Sequence, residues 1–336
     1  MAEMEFVLDP GRSHTHAPFH VSPAMTAPVR HVWAALIVVY VVWGSTYFGI
    51  KVVVETMPPL LSAGSRFLVA AALLAAILAV RGTSFRITGR ELAGAALVGL
   101  LLLAIGVGVV HVAEMRIDSS VAAMIVGTVP LQIIVMRTVA GESPARATQL
   151  STLTGLAGLV LVVAPGLGEG STAFGLAIML GASISWSTGS FFSRRLPLPR
   201  DPFVAAVYEM AAGGVFLAAG ALAFGELSSL DAAAFSASSV VAWAYLVVFG
   251  SLIGFTAYAW LLRVAPISLV VTHQYVNPLV AIALGMAFLG ERPSPWSLAG
   301  AALVIGAVYV AVRAESPRKD RREIAARPGT PAGRTA

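Results

Sequence analysis

The chain has 336 residues, of which 57% are hydrophobic and 12% charged, and its mean hydropathy is +0.84. Soluble domains carry roughly 25% charged residues, so this composition excludes an ordinary water-soluble globule. Cysteine is absent, which removes disulfides, thiolate nucleophiles and cysteine-rich metal sites together.

Residues 1–31 form a polar N-terminal tail with His14, His16 and His20 in a short tract. Such a tail lacks the fixed geometry a metal site needs, so no metal and no cofactor are expected. Apolar runs follow, each near the roughly 20 residues that a helix needs to cross hydrocarbon. The first is too long, and too free of a small-residue cleavage site, to be a removable signal peptide. Five spans are predicted at Val32–Val54, Leu60–Val80, Glu91–Val112, Ser119–Met136 and Thr148–Ala164. Five more are predicted at Thr172–Phe192, Phe203–Phe224, Ser239–Leu262, Ile267–Leu289 and Pro295–Val312. Short loops make consecutive helices antiparallel neighbours. Residues 313–336 form a basic tail without apolar period, expected to be disordered.

The net charge of +5 does not indicate nucleic acid, because the basic residues sit at span ends and in the C-terminal tail. With both termini cytoplasmic, 18 Lys and Arg fall inside and three outside, while Arg66 stays within a span. That bias is the positive-inside rule, and it predicts a multi-pass protein of the plasma or inner membrane.

The chain also repeats itself. Trp43-Gly44-Ser45-Thr46 is echoed by Trp186-Ser187-Thr188-Gly189, an offset of 143 residues, and at that offset Arg66 falls on Glu209. Pro130 answers to Pro278, and Gly141-Glu142 to Gly290-Glu291. Five spans per unit is an odd number, so the second unit enters the membrane in the opposite direction. The expected fold is therefore an all-α membrane protein with ten transmembrane helices as two inverted-topology five-helix repeats, residues 32–165 and 172–312. Inverted halves can exchange conformations, which favours transport by alternating access.

The Trp-Gly-Ser-Thr opening, the Arg66-Phe67 pair, Pro130 and Pro278, and the two Gly-Glu-x-Pro turns together resemble the EamA family. This is the ten-helix branch of the drug/metabolite transporter superfamily. One departure is the second copy, which reads Trp-Ser-Thr-Gly. The resemblance covers residues 32–312 and implies an exporter of amino acids or other small metabolites. Relatives that carry sugars or nucleotide-linked compounds leave an importer or exchanger as the alternative.

Ionisable groups within hydrocarbon are costly and mark function by default. Arg66 and Glu209 each lie about seven residues into a span. Arg66 is read as a carboxylate-binding or gating group, and Glu209 as an amine-binding or proton-carrying one. The competing reading is an ion pair or a snorkelling arginine. Trp43, Ser45, Thr46 and Tyr47 lie too deep for the interfacial belt and suit a cavity wall, although helix packing explains them equally. Trp186 is their counterpart, with interfacial anchoring as its competitor. His273, Gln274 and Asn277 precede Pro278 and are expected to line the cavity, with Gln132 and Tyr208 as further wall residues. Gly44, Pro130, Gly189 and Pro278 are expected at helix breaks or hinges. His111 and Glu114 are assigned to a solvated loop, and Glu142 and Glu291 to bracing turns.

The partners implied are the bilayer and a small-molecule substrate, with protons as one candidate for coupling; the coupling ion itself is not legible in the sequence. No Walker-type loop is present, so ATP does not drive the chain directly. An enzyme is not expected, since HExxH and GxSxG are missing and the spans hold no Asp. A purely structural membrane protein would not need duplicated polar spans.

Overall fold

A computed structural model describes residues 26–116, 122, 125–163, 172–228, 230–277, 279–280 and 294–315. Every regular element among the described residues is helical. In chain order they are α1 (Val29–Val54), α2 (Pro59–Val80), α3 (Gly89–Ala113), α4 (Val129–Val139) and α5 (Arg146–Val163). Then come α6 (Ala173–Phe192), α7 (Pro202–Ala223), α8 (Ala237–Val264), the single turn α9 (Ile267–Val270) and α10 (Pro295–Glu315). Six of them (α1, α2, α3, α6, α7 and α8) run 20 to 28 residues and are apolar enough to cross a membrane. Shorter apolar helices are α4 and residues Leu298–Ala311 of α10.

The helices begin where side chains satisfy their free N–H groups. Thr88 and Glu91 form a capping box at the start of α3. Thr172, Asp201 and Ser236 accept from the first turns of α6, α7 and α8. The cap of α2 comes from far along the chain: Leu60 N and Leu61 N donate to the two Glu226 carboxylate oxygens at 3.1 and 2.8 Å. Pro59 and Pro202 occupy first-turn positions, where a missing N–H costs nothing.

Two helices depart from α winding in the middle. Gly99–Gly108 within α3 and Leu246–Phe255 within α8 are π-helical. Such segments are rare and cluster at functional sites. Their i→i+5 ladder frees carbonyls that side chains from other helices take up. Trp43 Nε1 donates to Gly250 O at 3.0 Å, and Ser185 Oγ donates to Leu101 O at 2.8 Å.

One core joins α1, α2, α3, α6, α7 and α8, with Leu36, Phe67, Leu103, Met210 and Leu261 fully buried. Small residues let backbones touch across it. A Cβ on Gly64 of α2 would lie 3.2 Å from Gly214 O of α7, and one on Gly214 would lie 3.0 Å from Gly64 O. Helices α5 and α10 pair separately around Leu159, Tyr275 and Val304. Large apolar side chains such as Val41, Phe48, Leu73, Ile77 and Val215 point outward, as a lipid-facing surface requires and water would penalise.

The expected span Ile267–Leu289 is described only in part: α9 ends at Val270, and residues 273–277 resume helix after a turn. Pro278 and the second Gly-Glu turn lie outside the described residues, as do His14, His16 and His20. Pro130 stands in the first turn of α4, directly after a turn at Gly127 and Thr128.

Candidate functional site

Helices from both halves of the chain surround a central cavity of about 70 Å³, room for several water-sized groups. Three rings, Trp43, Trp186 and His273, build one wall, and Tyr258 packs against them from outside the lining. Trp43 of α1 lies 5.3 Å from Trp186 of α6, 4.9 Å from Tyr258 of α8 and 5.0 Å from His273, between ring centroids. The two tryptophans of the sequence echo thus meet edge to face, a favoured aromatic geometry. Thr46, Tyr47, Arg66, Gln274 and Asn277 complete the polar part of the lining.

The glycines beside these tryptophans are set by close approach rather than by hinging. A Cβ on Gly44 would sit 2.6 Å from Val280 Cβ, and one on Gly189 would sit 2.8 Å from Leu102 Cδ2. Helix α1 therefore lies directly on Asn277 and Val280, and α6 on the π segment of α3.

Among the described residues of the lining, Arg66 is the charged one. It is only 4% exposed, and its Nε and Nη1 are buried without an acceptor among the described residues. Its guanidinium carbon sits 4.5 Å from the centroid of the Phe67 ring. A cation–π contact supplies about 0.5–2 kcal/mol, whereas burying an ion costs several kcal/mol. The ring therefore does not settle the charge, and the cavity keeps an undercompensated cation. His111 of α3 lies within electrostatic reach of Arg66, outside the lining.

His273 is fully buried and held by a contact of 2.9 Å between Nδ1 and Val270 O. A carbonyl only accepts, so Nδ1 carries the proton and Nε2 presents a lone pair. That Nε2 is buried without a partner among the described residues, as is Asn277 Oδ1. The cavity thus offers one cation and two neutral acceptors.

Other expected wall residues lie elsewhere. Ser45 Oγ bonds Val42 O and the Tyr245 hydroxyl, which turns it toward α8. Gln132 ties α4 to α6: its Nε2 donates to Ser183 Oγ and Thr128 Oγ1 at 2.8 Å, and its Oε1 accepts from Ser187 Oγ at 2.6 Å. Tyr208 donates to Phe85 O at 2.7 Å, in the loop between α2 and α3. Glu209 is buried but outside the lining, in the α7 face packed on Gly99, and the charge acting on it is Arg263. Arg66 and Glu209 are therefore not brought to one site, although both lie at the same depth in sequence.

One expectation needs correction. His111 and Glu114, assigned to a solvated loop, are buried, at 0% and 1% exposure. The apolar end of α3 folds into the protein rather than into water, and Lys51 Nζ reaches Glu114 O at 3.5 Å. Glu142 braces its turn as expected and also bridges to another helix end. Its Oε2 accepts from Arg137 Nε at 2.8 Å and its Oε1 from Arg195 Nη2 at 2.7 Å. Arg137 also donates to Ser268, and Arg195 packs on the Phe191 ring. Sequence reasoning also missed Phe67, Phe255 and the freed Gly250 carbonyl as cavity residues, since none differs in type from core packing.

Helices long enough to span a bilayer around a shared polar and aromatic cavity define a polytopic membrane protein. The chain belongs to the EamA-like transporter family, whose model matches residues 31–164 and again 173–313. It is 38% identical over 280 residues to the uncharacterized inner membrane transporter YedA of Escherichia coli K12, covering 83% of this chain and 90% of that one. A probable amino-acid metabolite efflux pump of Salmonella typhimurium is 27% identical over 304 residues, covering 83% and 93%. A solved crystal structure at 19% identity superposes with a TM-score of 0.69 over 84% of this chain and 98% of that one, a likeness of fold.

Proposed function

We propose that the chain is a secondary active transporter of the inner membrane that exports a small metabolite, such as an amino acid, by alternating access. The observation that carries this reading is the central cavity, whose ring wall draws on both matched halves: Trp43 from one, Trp186 and His273 from the other. A packed structural protein has no use for a buried cation and two unpartnered acceptors around empty space. The names of the Escherichia and Salmonella relatives agree with membrane transport, and the second with efflux of amino-acid metabolites.

The same reading includes ten spans in two inverted five-helix units with both termini cytoplasmic. Contacts between helix ends support it, because each joins segments that this alternation puts on one side. Glu226 caps α2, Thr172 N donates to Arg116 O, and Arg263 Nη1 donates to Pro199 O. The Arg137–Glu142–Arg195 bridge and the bond from Arg194 to Arg263 O tie together the side assigned to the cytoplasm. There, burial and the neighbouring Arg195 hold the Arg194 guanidinium below its ordinary pKa, partly offset by Glu142.

The test is flux through proteoliposomes loaded with a metabolite mixture, with and without a pH gradient. Selective movement of at least one solute is expected, and its acceleration by the gradient marks proton coupling. If no solute moves faster than in protein-free vesicles, the transport reading is wrong.

A further inference from the structure

We infer that the cavity selects a small organic monoanion: one carboxylate held by Arg66, a neutral O–H or N–H donor facing His273 and Asn277, and an apolar body against the rings. This rests on the transport reading and narrows it to a class of cargo. Three features of the lining converge on it.

The first is charge. Arg66 brings one positive charge, and no Asp or Glu is among the described lining residues. Glu209 sits in another seam under the influence of Arg263, and Glu114 lies outside the lining with Lys51 as the charge acting on it. A ligand of charge −1 makes the occupied cavity neutral, which is the state a low-dielectric site favours. A zwitterion would leave Arg66 answered but add an ammonium that no described lining carboxylate meets, so that it would depend on Glu114, which lies outside the lining within electrostatic reach of Tyr47. An amine would place a second cation beside the first.

The second is hydrogen bonding. Arg66 holds buried N–H groups on Nε and Nη1 that no acceptor among the described residues takes up, and a carboxylate oxygen can answer them with charge-assisted bonds. His273 Nε2 and Asn277 Oδ1 are left without a donor among the described residues, and an O–H or N–H of the cargo is the group that answers them. The third is shape. Trp43, Trp186, Phe67 and Phe255 make the remaining wall apolar and aromatic, which suits a ring or a branched hydrocarbon.

The experiment uses the purified full-length chain and three probes with the same benzyl body: 3-phenyllactate, phenylalanine and phenethylamine, which are anion, zwitterion and cation near neutral pH. Quenching of tryptophan emission in detergent reads binding, because Trp43 and Trp186 line the cavity, and flux of the same probes in proteoliposomes reads transport. The expected result is binding of 3-phenyllactate at least about tenfold tighter than either other probe. It should also bind more tightly than 3-phenylpropanoate, which lacks the donor. Arg66→Gln should erase the preference for the anion, while Arg66→Lys should keep the preference at lower affinity, because the charge remains and the planar set of N–H donors is lost. Should Arg66→Gln fail to fold, the probe comparison on the native chain decides by itself. Equal or tighter binding of phenylalanine or phenethylamine overturns the monoanion inference and leaves transport standing, as does failure of the whole panel while another solute in the metabolite mixture moves. Failure of every solute in that mixture overturns both.

Discussion

Replacing Glu142 with Gln removes the charge that joins Arg137 to Arg195 while keeping the side-chain volume. The three side chains are 8%, 23% and 17% exposed, so the bridge is mostly sheltered. Breaking a fully buried pair costs about 3–5 kcal/mol because a partner stays charged and unanswered. With these exposures the cost falls to about 2–3 kcal/mol, the remaining bonds of Arg137 to Ser268 and of Arg195 to Phe191 O limiting it further. A contact present in one conformation and absent from another shifts their ratio by its own free energy, here about 30- to 150-fold. The natural absence of cysteine allows spin labels at introduced cysteines without removing any native thiol. Labels at the exposed Ala140 and Pro197 straddle the bridge. In Glu142→Gln the distance distribution between them should broaden toward longer separations, and raised salt should do the same more weakly in the native chain. An unchanged distribution together with an unchanged thermal midpoint would refute the view that this bridge holds the two helix ends together.

Gly44→Ala should lower the thermal midpoint in detergent, at a cost of about 1–3 kcal/mol from overpacking against Val280, whereas Gly181→Ala, with nothing within 4 Å of the new Cβ, should leave it level or raise it. Gln132→Leu should destabilise by about 1–2 kcal/mol, since Ser183 and Ser187 are buried and lose their partner; differential scanning fluorimetry checks it. Trp43→Phe should keep the ring wall but free Gly250 O, weakening ligand-induced quenching of the remaining tryptophans without abolishing it. Glu209→Gln should lower the thermal midpoint, because Arg263 loses its opposite charge, and leave ligand binding unaltered; weakened binding would return Glu209 to the site.

The six long helices were legible as apolar runs. The expected Leu60–Val80 and Phe203–Phe224 fall within a residue of α2 and α7, because proline and Asp201 punctuate their starts. Depth was legible too, and azimuth was not. Arg66 and Glu209 lie equally far into their helices, yet one faces the cavity and the other a packed seam. Hydropathy reports distance from the interface, while the rotation of a helix is decided by which small residues let a neighbour approach, as Gly99 does for α7. The same blindness hid the burial of Glu114: a charged residue just past an apolar run reads as solvated until the fold supplies Lys51 beside it. The aromatic pair was found because Trp43 and Trp186 recur in register, a signal of position rather than of chemistry. Phe67 and Phe255 carried no such mark.

The paired π segments of α3 and α8 have a geometric consequence for any change of shape. A wide ladder holds slack that an α ladder does not, and taking up one residue of it turns the following residues by about 100° about the helix axis. In α8 that turn would swing Phe255 out of the wall and withdraw the Gly250 carbonyl from Trp43; in α3 it would rotate Gly106 and Val107 away from the cavity and release Leu101 O from Ser185. Each half thus contains its own screw thread, engaged by a side chain of the other half, so that rewinding one helix would loosen a contact across the molecule without unfolding either.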